Sequence, residues 1–480
     1  KNLVIVESPA KAKTIEKFLG PGYVVKSSIG HIRDMPKKDM GVNIENDFLP
    51  TYAISADKKK VVADLKKSAK AAEKIFLATD EDREGEAIAW HLQQALSLDL
   101  DTPRIVFHEI TKGAITKAIK NPRTINTDLV DAQQARRIID RLVGFEISPV
   151  LWRKISGARS AGRVQSPVVR LVVEREREIS AHIPVSTFKV KANLINKDNQ
   201  NLEVKLNKEF SSKEDALSFA EALIEAELIV DLVDTKPSKR SPKAPFITST
   251  LQQEASQKLG FSVKQTMSIA QNLYREGAIT YMRTDSLNLS ELAITGAEEE
   301  IVSKYGKQFH QARRYKTSSS GAQEAHEAIR PTDLTKPTIL GLDDQSSKLY
   351  SLIYKRTLAS QMSDAQLQKT KVTINVSGRS EHFIADGEIL SFAGFLEVYD
   401  YMSSDDRLLP EISSNDVLTL VDMSSRESFS RAKPRYTEAS LVKEIEQMGI
   451  GRPSTFATMI TTVQDRNYVV KDTREGSQRE

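Results

Sequence analysis

The chain has 480 residues, 39% of them hydrophobic and 28% charged, which is enough to fill real cores and suggests about three or four domains of roughly 100–200 residues each. No stretch approaches the roughly 20 apolar residues of a membrane span, and Lys1-Asn2-Leu3-Val4-Ile5-Val6-Glu7 reaches a carboxylate too soon to read as a signal peptide. There is no cysteine, which excludes disulfides, cysteine nucleophiles, thiolate zinc sites and iron–sulfur clusters and fits a cytosolic protein; the net charge of +4 leaves any basic surface to local clustering.

Residues 1–120 alternate strand and helix. Leu3-Val4-Ile5-Val6 and Lys74-Ile75-Phe76-Leu77-Ala78 are short apolar runs of the buried parallel type, with Tyr23-Val24-Val25 and Arg104-Ile105-Val106-Phe107 as further extended segments. Helices are expected at 9–19, 57–72, 86–96 and 112–119. This alternation predicts an α/β layer around a mostly parallel sheet. Residues 126–180 read as helical and arginine-rich. Period-two strands are expected over 183–235 and again over 370–423, with a mainly helical block at 246–362 between them. Lys236-Pro237-Ser238-Lys239-Arg240-Ser241-Pro242-Lys243-Ala244-Pro245 reads as a basic, proline-rich linker into that block. The helical block is therefore expected to be nested inside a β domain. A weak repeat aligns 248–280 with 438–470, each as helix, glycine-containing turn, helix and short strand, the outline of a winged helix. In the first copy Ser262 and Gln265 have capping-box spacing, and Gly277 suits the position after a helix end.

Five constellations carry chemistry. Glu7 and Asp80 each follow a predicted parallel strand, where ligands of open α/β sheets bind. Asp80-Glu81-Asp82-Arg83-Glu84 crowds carboxylates into one turn; a hard divalent cation such as Mg²⁺ would relieve their repulsion, and a solvated acidic helix start is the plainer alternative. Ser8-Pro9-Ala10-Lys11-Ala12-Lys13 reads as a capped helix start with two lysines, suited to an anion or simply to starting a helix. Gly30-His31-Ile32-Arg33-Asp34 ends a strand on the same presumed edge, so His31 is either a phosphate contact or structural. Tyr281 has Arg283 two residues on, which is the same face of an extended segment; a tyrosine can attack a phosphate that an arginine holds, but most of the 12 tyrosines will be packing residues. Arg136, Arg137 and Arg141 recur at helical spacing. Residues 151–170 then bring Arg153, Lys154, Arg159, Arg163 and Arg170 without an acid, and Phe145 and Trp152 lie nearby. That mix suits single-stranded nucleic acid, and also a solvated basic face.

In their order and spacing these motifs resemble the bacterial type IA DNA topoisomerase I family, through residues 3–13, 28–36, 78–91, 132–173, 278–286, 323–333 and 449–468, so that the resemblance covers essentially the whole chain. It implies a multidomain α/β, α and β fold: a Toprim domain at 1–125, a DNA-binding helical domain split between 126–182 and 431–480, a β arch from 183–245 and 363–430, and a winged-helix-like domain at 246–362, together forming a torus. The family motif puts the attacking tyrosine at Tyr281 and its phosphate-binding partner at Arg283. Glu7 and Lys11 match the acid and lysine beside the scissile phosphate, and His326 in Gln323-Glu324-Ala325-His326-Glu327 matches the active-site histidine. Asp80 and Asp82, with Glu84 and Glu7, match the acids that hold Mg²⁺. Arg136, Arg137, Asp140, Phe145, Trp152, Ser160, Arg163 and Gln165 match the single-strand groove; Arg452, Ser454, Thr455 and Arg466 match a second strand-contacting element, and His31 a further DNA contact.

The implied activity is ATP-independent relaxation of negatively supercoiled DNA through a 5′-phosphotyrosine at Tyr281, by a monomer acting on the bacterial nucleoid in the cytoplasm. No Gly-x-x-x-x-Gly-Lys-Ser/Thr loop occurs. Two departures stand out. Many members carry C-terminal cysteine zinc ribbons, absent here, and the family pattern continues with more helices after Tyr468. A Toprim-type primase or nuclease would share the acids but not need Tyr281. A non-enzymatic single-strand clamp would need neither.

Overall fold

The computed structural model describes residues 1–316, 327–399 and 408–473. The first apolar run becomes the centre of a parallel sheet: strand Asn2–Val6 pairs with Tyr23–Ser27 on one side and Ile75–Leu77 on the other. Leu3, Val4, Ile5 and Val6 are all buried, because helices cover both faces. Val4 and Val6 pack toward helices Pro9–Leu19 and Lys112–Lys120; Leu3 and Ile5 pack toward Lys59–Ala71 and Arg83–Leu96.

The expected strand at 104–107 is reduced to a parallel bridge between Leu77 and Arg104. The reason is the side chain of Arg104, which is fully buried and donates to the carbonyls of Thr79 (2.9 Å), Asp80 (2.7 Å) and Ile105 (2.7 Å) and to Glu86 (3.2 Å). Beyond it the chain leaves the sheet, and the His108 carbonyl accepts from the Tyr281 amide instead (2.8 Å).

Helices Thr127–Lys154 and Gln165–Ala181 follow. Strands from 186–240 and 365–429 then build one closed six-stranded barrel. Two expectations are corrected here. Residues 183–235 are not all strand: Lys213–Ile224 is a helix, capped where Ser212 Oγ accepts from the Asp215 amide (3.1 Å), with Ala216, Phe219 and Leu223 at helical spacing buried in the barrel core. Nor is 236–245 all linker. Strand Leu228–Arg240 runs straight through Pro237 and pairs with Ala365–Val376 as far as Arg240. The other ladder of this strand, to Val417–Phe429, involves only Leu228 and Ile229, so at Pro237 the strand is paired on one side alone, the setting in which a sheet tolerates proline.

Between the two barrel segments lie helices Thr248–Leu259, Val263–Arg275, Glu291–Tyr305 and Asp344–Ser360. The repeat is real as helix–turn–helix: Glu438–Gln447 and Phe456–Asp465 form the second copy, and the first helices of the two copies pack together. The expected third piece is not a strand in either copy. Ile279 makes only a lone bridge to Pro331, since the flanking backbone is taken by Arg330 and His108.

Candidate active site

Glu7 leaves the central strand, and Ser8 caps the next helix by accepting from the Lys11 amide (3.3 Å). One helical turn returns Lys11 beneath Glu7. Its ammonium is fully buried, 3.2 Å from the Glu7 carboxylate and 2.9 Å from Asp80 Oδ1. The repulsion expected between strand-end acids is therefore relieved by a lysine of the chain itself. Burial, then the charge of Asp80, raises the Glu7 carboxyl to about 7. Burial also works against ionised Asp80, but Lys11 outweighs it and holds that carboxyl below its usual range. Lys11 thus serves here as the buried counter-ion shared by two carboxylates.

The Asp80 turn is tightly built. Asp82 caps helix Arg83–Leu96 by accepting from the Gly85 amide (2.9 Å), and Thr79 Oγ1 donates to the Gly85 carbonyl (2.6 Å). A Cβ at Gly85 would lie 2.0 Å from the Asp80 carbonyl oxygen, so only glycine fits. Gly85→Ala should therefore lower stability by about 1–3 kcal/mol through forced backbone movement. Thermal unfolding checks this, and an unchanged transition would show that the turn yields freely.

Tyr281 arrives from another part of the chain. Helix Val263–Arg275 ends with Gly277 at φ +77°, whose amide bonds the Tyr274 carbonyl (2.9 Å) while the Ala278 amide bonds Leu273 (2.8 Å). A Cβ at Gly277 would also meet the Ile110 carbonyl at 2.4 Å, so the helix end docks directly on the parallel-sheet layer. Tyr281 is then buried with its hydroxyl donating to Asp82 Oδ2 (2.7 Å), and Arg283 Nη1 approaches the same oxygen at 3.5 Å. The segment is not a strand, yet the two side chains share one target. Burial, then Asp82 and Asp80, holds the Tyr281 hydroxyl well above its usual pKa.

Glu84 is paired with His31 and accepts from Gln133 Nε2 (3.2 Å); against its burial, His31 brings its carboxyl down to about 2. Sequence reasoning misses Gln133, because an amide inside an arginine-rich helix gives no pattern. It misses Tyr274 too, which is fully buried, packs its ring edgewise on Tyr281 at 5.1 Å, and has its hydroxyl near Asp80 and Glu7. The one cue to Tyr274 is its place one turn before a helix-ending glycine. His326 lies outside the described residues.

The four acids supply hard oxygen donors of the kind Mg²⁺ takes. As placed, however, each is held by a protein cation or donor: Glu7 and Asp80 by Lys11, Asp82 by Tyr281 and Arg283, Glu84 by His31 and Gln133. Among the described residues no three His, Asp or Glu side chains are arranged to hold an ion. A small cavity of about 80 Å³ beside them is lined by Asp82, Glu84, Gln133, Arg136, Arg283, Arg452 and Ser454.

A second cavity of about 790 Å³ gathers Arg136, Arg137, Asp140, Phe145, Trp152, Ser160, Arg163, Gln165, Thr455 and Arg466. Arg137 pairs with Asp34, and Asp140 with Arg163 (3.0 Å). The Arg141 guanidinium lies 5.2 Å from the Phe145 ring centroid. Arg466 reaches Ser160 and Gln165, joining the second helix–turn–helix copy to the arginine-rich tract. Trp152 stays 58% exposed, a free face at the rim.

An α/β layer built on a parallel sheet faces a buried tyrosine, a half-buried arginine beside it and a basic groove. A family model described as Toprim domain matches residues 2–110, and one described as DNA topoisomerase matches 124–478. The chain belongs to the bacterial type IA DNA topoisomerase I family. It is 45% identical to a DNA topoisomerase 1 of Streptomyces coelicolor, over 98% of this chain and 56% of that protein. It is 46% identical to one of Campylobacter jejuni, over 99% of this chain and 70% of that protein. The structure of full-length topoisomerase I from Thermotoga maritima superposes with a TM-score of 0.89 at 40% identity, over 98% of this chain and 79% of that one. The chain thus spans a little over half the length of several curated relatives. No helix among the described residues is long and apolar enough to cross a membrane.

Proposed function

We propose that the chain cleaves and reseals single-stranded DNA by transesterification, with Tyr281 as the nucleophile, and so relaxes negatively supercoiled DNA without ATP. The observation that carries this reading is the hydroxyl of Tyr281, buried against Asp82 and accompanied by Arg283 at the carboxyl edge of the parallel sheet.

The basic groove binds the strand, with Phe145 and Trp152 as stacking faces and Arg136, Arg137 and Arg163 on phosphates. Arg283 holds the scissile phosphate. Tyr281 Oη bonds to phosphorus as its proton passes to Asp82, the carboxylate that already accepts its hydrogen bond. The P–O3′ bond breaks, leaving a 5′-phosphotyrosine. Glu7, with its carboxyl raised to about 7, gives its proton to the departing 3′ oxygen. Resealing reverses these transfers, and the phosphotyrosine conserves the free energy of the bond, which is why no nucleotide is needed. Glu7, Asp80, Asp82 and Glu84 would supply the oxygen donors for a Mg²⁺ ion, which would screen phosphate charge and position the strand ends when bound. Lys11, beside the scissile phosphate, and His31 and His326 are further proposed catalytic groups and DNA contacts.

Strand passage requires the block carrying Tyr281 to part from the sheet layer. Polar contacts across that seam include Thr14 Oγ1 to the Arg275 carbonyl (3.0 Å), the Tyr281 amide to His108, and Arg330 to Glu109 (2.9 Å). We take the working form to be a monomer on bacterial chromosomal DNA.

The deciding test is incubation with labelled single-stranded DNA followed by denaturation. A covalent adduct supports this reading, whereas its absence points to a Tyr281-independent Toprim enzyme or a clamp. Within the groove, Arg163→Ala or Arg137→Ala should weaken single-strand binding and flatten its salt dependence by about 0.7 in slope for each phosphate left without its cation. Unchanged slopes for both would reduce the tract to a solvated face.

A further inference from the structure

Helix Lys59–Ala71 covers one face of the parallel sheet with Val62 and Leu65. Its outer side carries Lys59, Lys60, Lys66, Lys67 and Lys70, all exposed, and none forms an ion pair with a described residue. At about 100° per residue these five fall within an arc of about 120°, a single stripe opposite the buried face. The acids near the helix are already paired elsewhere: Asp64 with Lys26 (2.6 Å) and Asp57 with Lys58 (3.7 Å).

An ordinary solvated face mixes charges of both signs. This one costs the helix stability instead. Lys66 and Lys70 repel at i,i+4, and Lys67 and Lys70 at i,i+3. Lys59 and Lys60 sit in the first turn, where the helix dipole disfavours cations and where the helix has no acid. A polyanion laid along the stripe would relieve each of these conflicts.

The stripe also starts beside the active site. Lys58 Nζ donates to the Ile29 carbonyl (2.8 Å), and the Gly30 amide donates to the Glu7 carbonyl (2.8 Å). From there the helix runs away from the carboxyl edge, back to the start of strand Ile75–Leu77. We propose that this lysine stripe is a second DNA-binding surface, which grips the phosphates of duplex DNA flanking the single-stranded segment held at Tyr281. The proposal rests on the reading of the chain as a DNA-cleaving enzyme. Duplex is favoured over single strand because the helix has no aromatic residue on which an unpaired base would stack, whereas a duplex stacks its own bases and meets a basic helix through its outer phosphates. The stripe is about 16 Å long at 1.5 Å per residue, and B-DNA carries a charge every ~1.7 Å of its axis, so several lysines can each meet a phosphate.

The test compares two ligands by fluorescence anisotropy across a KCl series, using the full chain. One is a single-stranded oligonucleotide; the other is the same segment joined to a duplex stem. The wild type should show the steeper salt dependence on the stem-bearing ligand. With Lys59, Lys60, Lys66, Lys67 and Lys70 all changed to glutamine, that slope should fall by about 0.9 for each phosphate no longer neutralised, two units or more in total, while binding to the single strand stays unchanged. The matching five-arginine variant should keep the wild-type slope, which excludes misfolding as the cause. An unchanged slope on the stem-bearing ligand would overturn the proposal, and so would an equal loss on both ligands. Adduct formation by the wild type on the single strand is measured alongside. Its failure would remove the assignment of Tyr281, and a stem-specific loss of slope would still stand as duplex binding.

Discussion

Tyr281→Phe should form no covalent adduct with single-stranded DNA and bind it with nearly unchanged affinity. The substitution removes one oxygen and keeps the ring that packs edgewise on Tyr274. It keeps the amide that donates to the His108 carbonyl. The one hydrogen bond removed is that from the hydroxyl to Asp82, worth about 1.5–3 kcal/mol as a bond to a charged group, and Asp82 retains Arg283 nearby. The variant should therefore fold normally. The chemistry has no substitute: the hydroxyl is held above its usual pKa by burial and by Asp82 and Asp80, so attack depends on this oxygen passing its proton to an adjacent acceptor. Tyr274 is the nearest other phenol, but its hydroxyl lies near Asp80 and Glu7, away from Asp82. Gel analysis after denaturation should show zero adduct, and plasmid relaxation should be lost with it. Retained relaxation would end the assignment of Tyr281 as nucleophile.

The elements of this site differ in how clearly they read from the sequence. The parallel strands are legible because a strand buried on both faces must be an unbroken apolar run, as Leu3–Val6 is. The acids at Glu7 and Asp80 follow from strand ends alone. Helix Lys213–Ile224 is hidden because it lies within a run of alternating strands and is short; only the cap at Ser212 marks it. Pro237 reads as a chain break because local sequence does not say which strands lie at a sheet edge. Arg104 does not read as a clamp on the Asp80 turn, since its carbonyl partners are set by tertiary structure. The pairing of Tyr281 with Asp82 joins residues 199 positions apart, and spacing predicts no such contact. The family resemblance places both in one site; their mutual hydrogen bond is what the fold adds.

Lys11→Met should destabilise the protein by about 3–5 kcal/mol, and by more at pH 8 than at pH 5. Methionine matches the lysine stem in length and can keep its contacts beside Phe107 and Tyr274. It leaves Glu7 and Asp80 without their shared cation, in a site where that ammonium is fully buried. In the wild type the two carboxyls pull in opposite directions. The Glu7 pKa is raised from 4.5 to about 7, so its contribution is complete below pH 4.5 and is lost as pH rises through about 7. The Asp80 pKa is lowered, so its contribution is present above the ordinary aspartate range and is lost as pH falls. Lys11 is what holds Asp80 on that side. Without it, burial and mutual repulsion act on both groups, and both then favour the protonated form. Stability of the variant should therefore fall steadily from about pH 5 upward. Thermal unfolding in a chelator, where no added cation can replace the ammonium, measures this directly. Asp80→Asn in the Lys11→Met background should recover part of the loss at pH 8, because it removes one of the two stranded charges. If the single variant is as stable as wild type across that range, the ammonium is not what keeps the strand-end acids together.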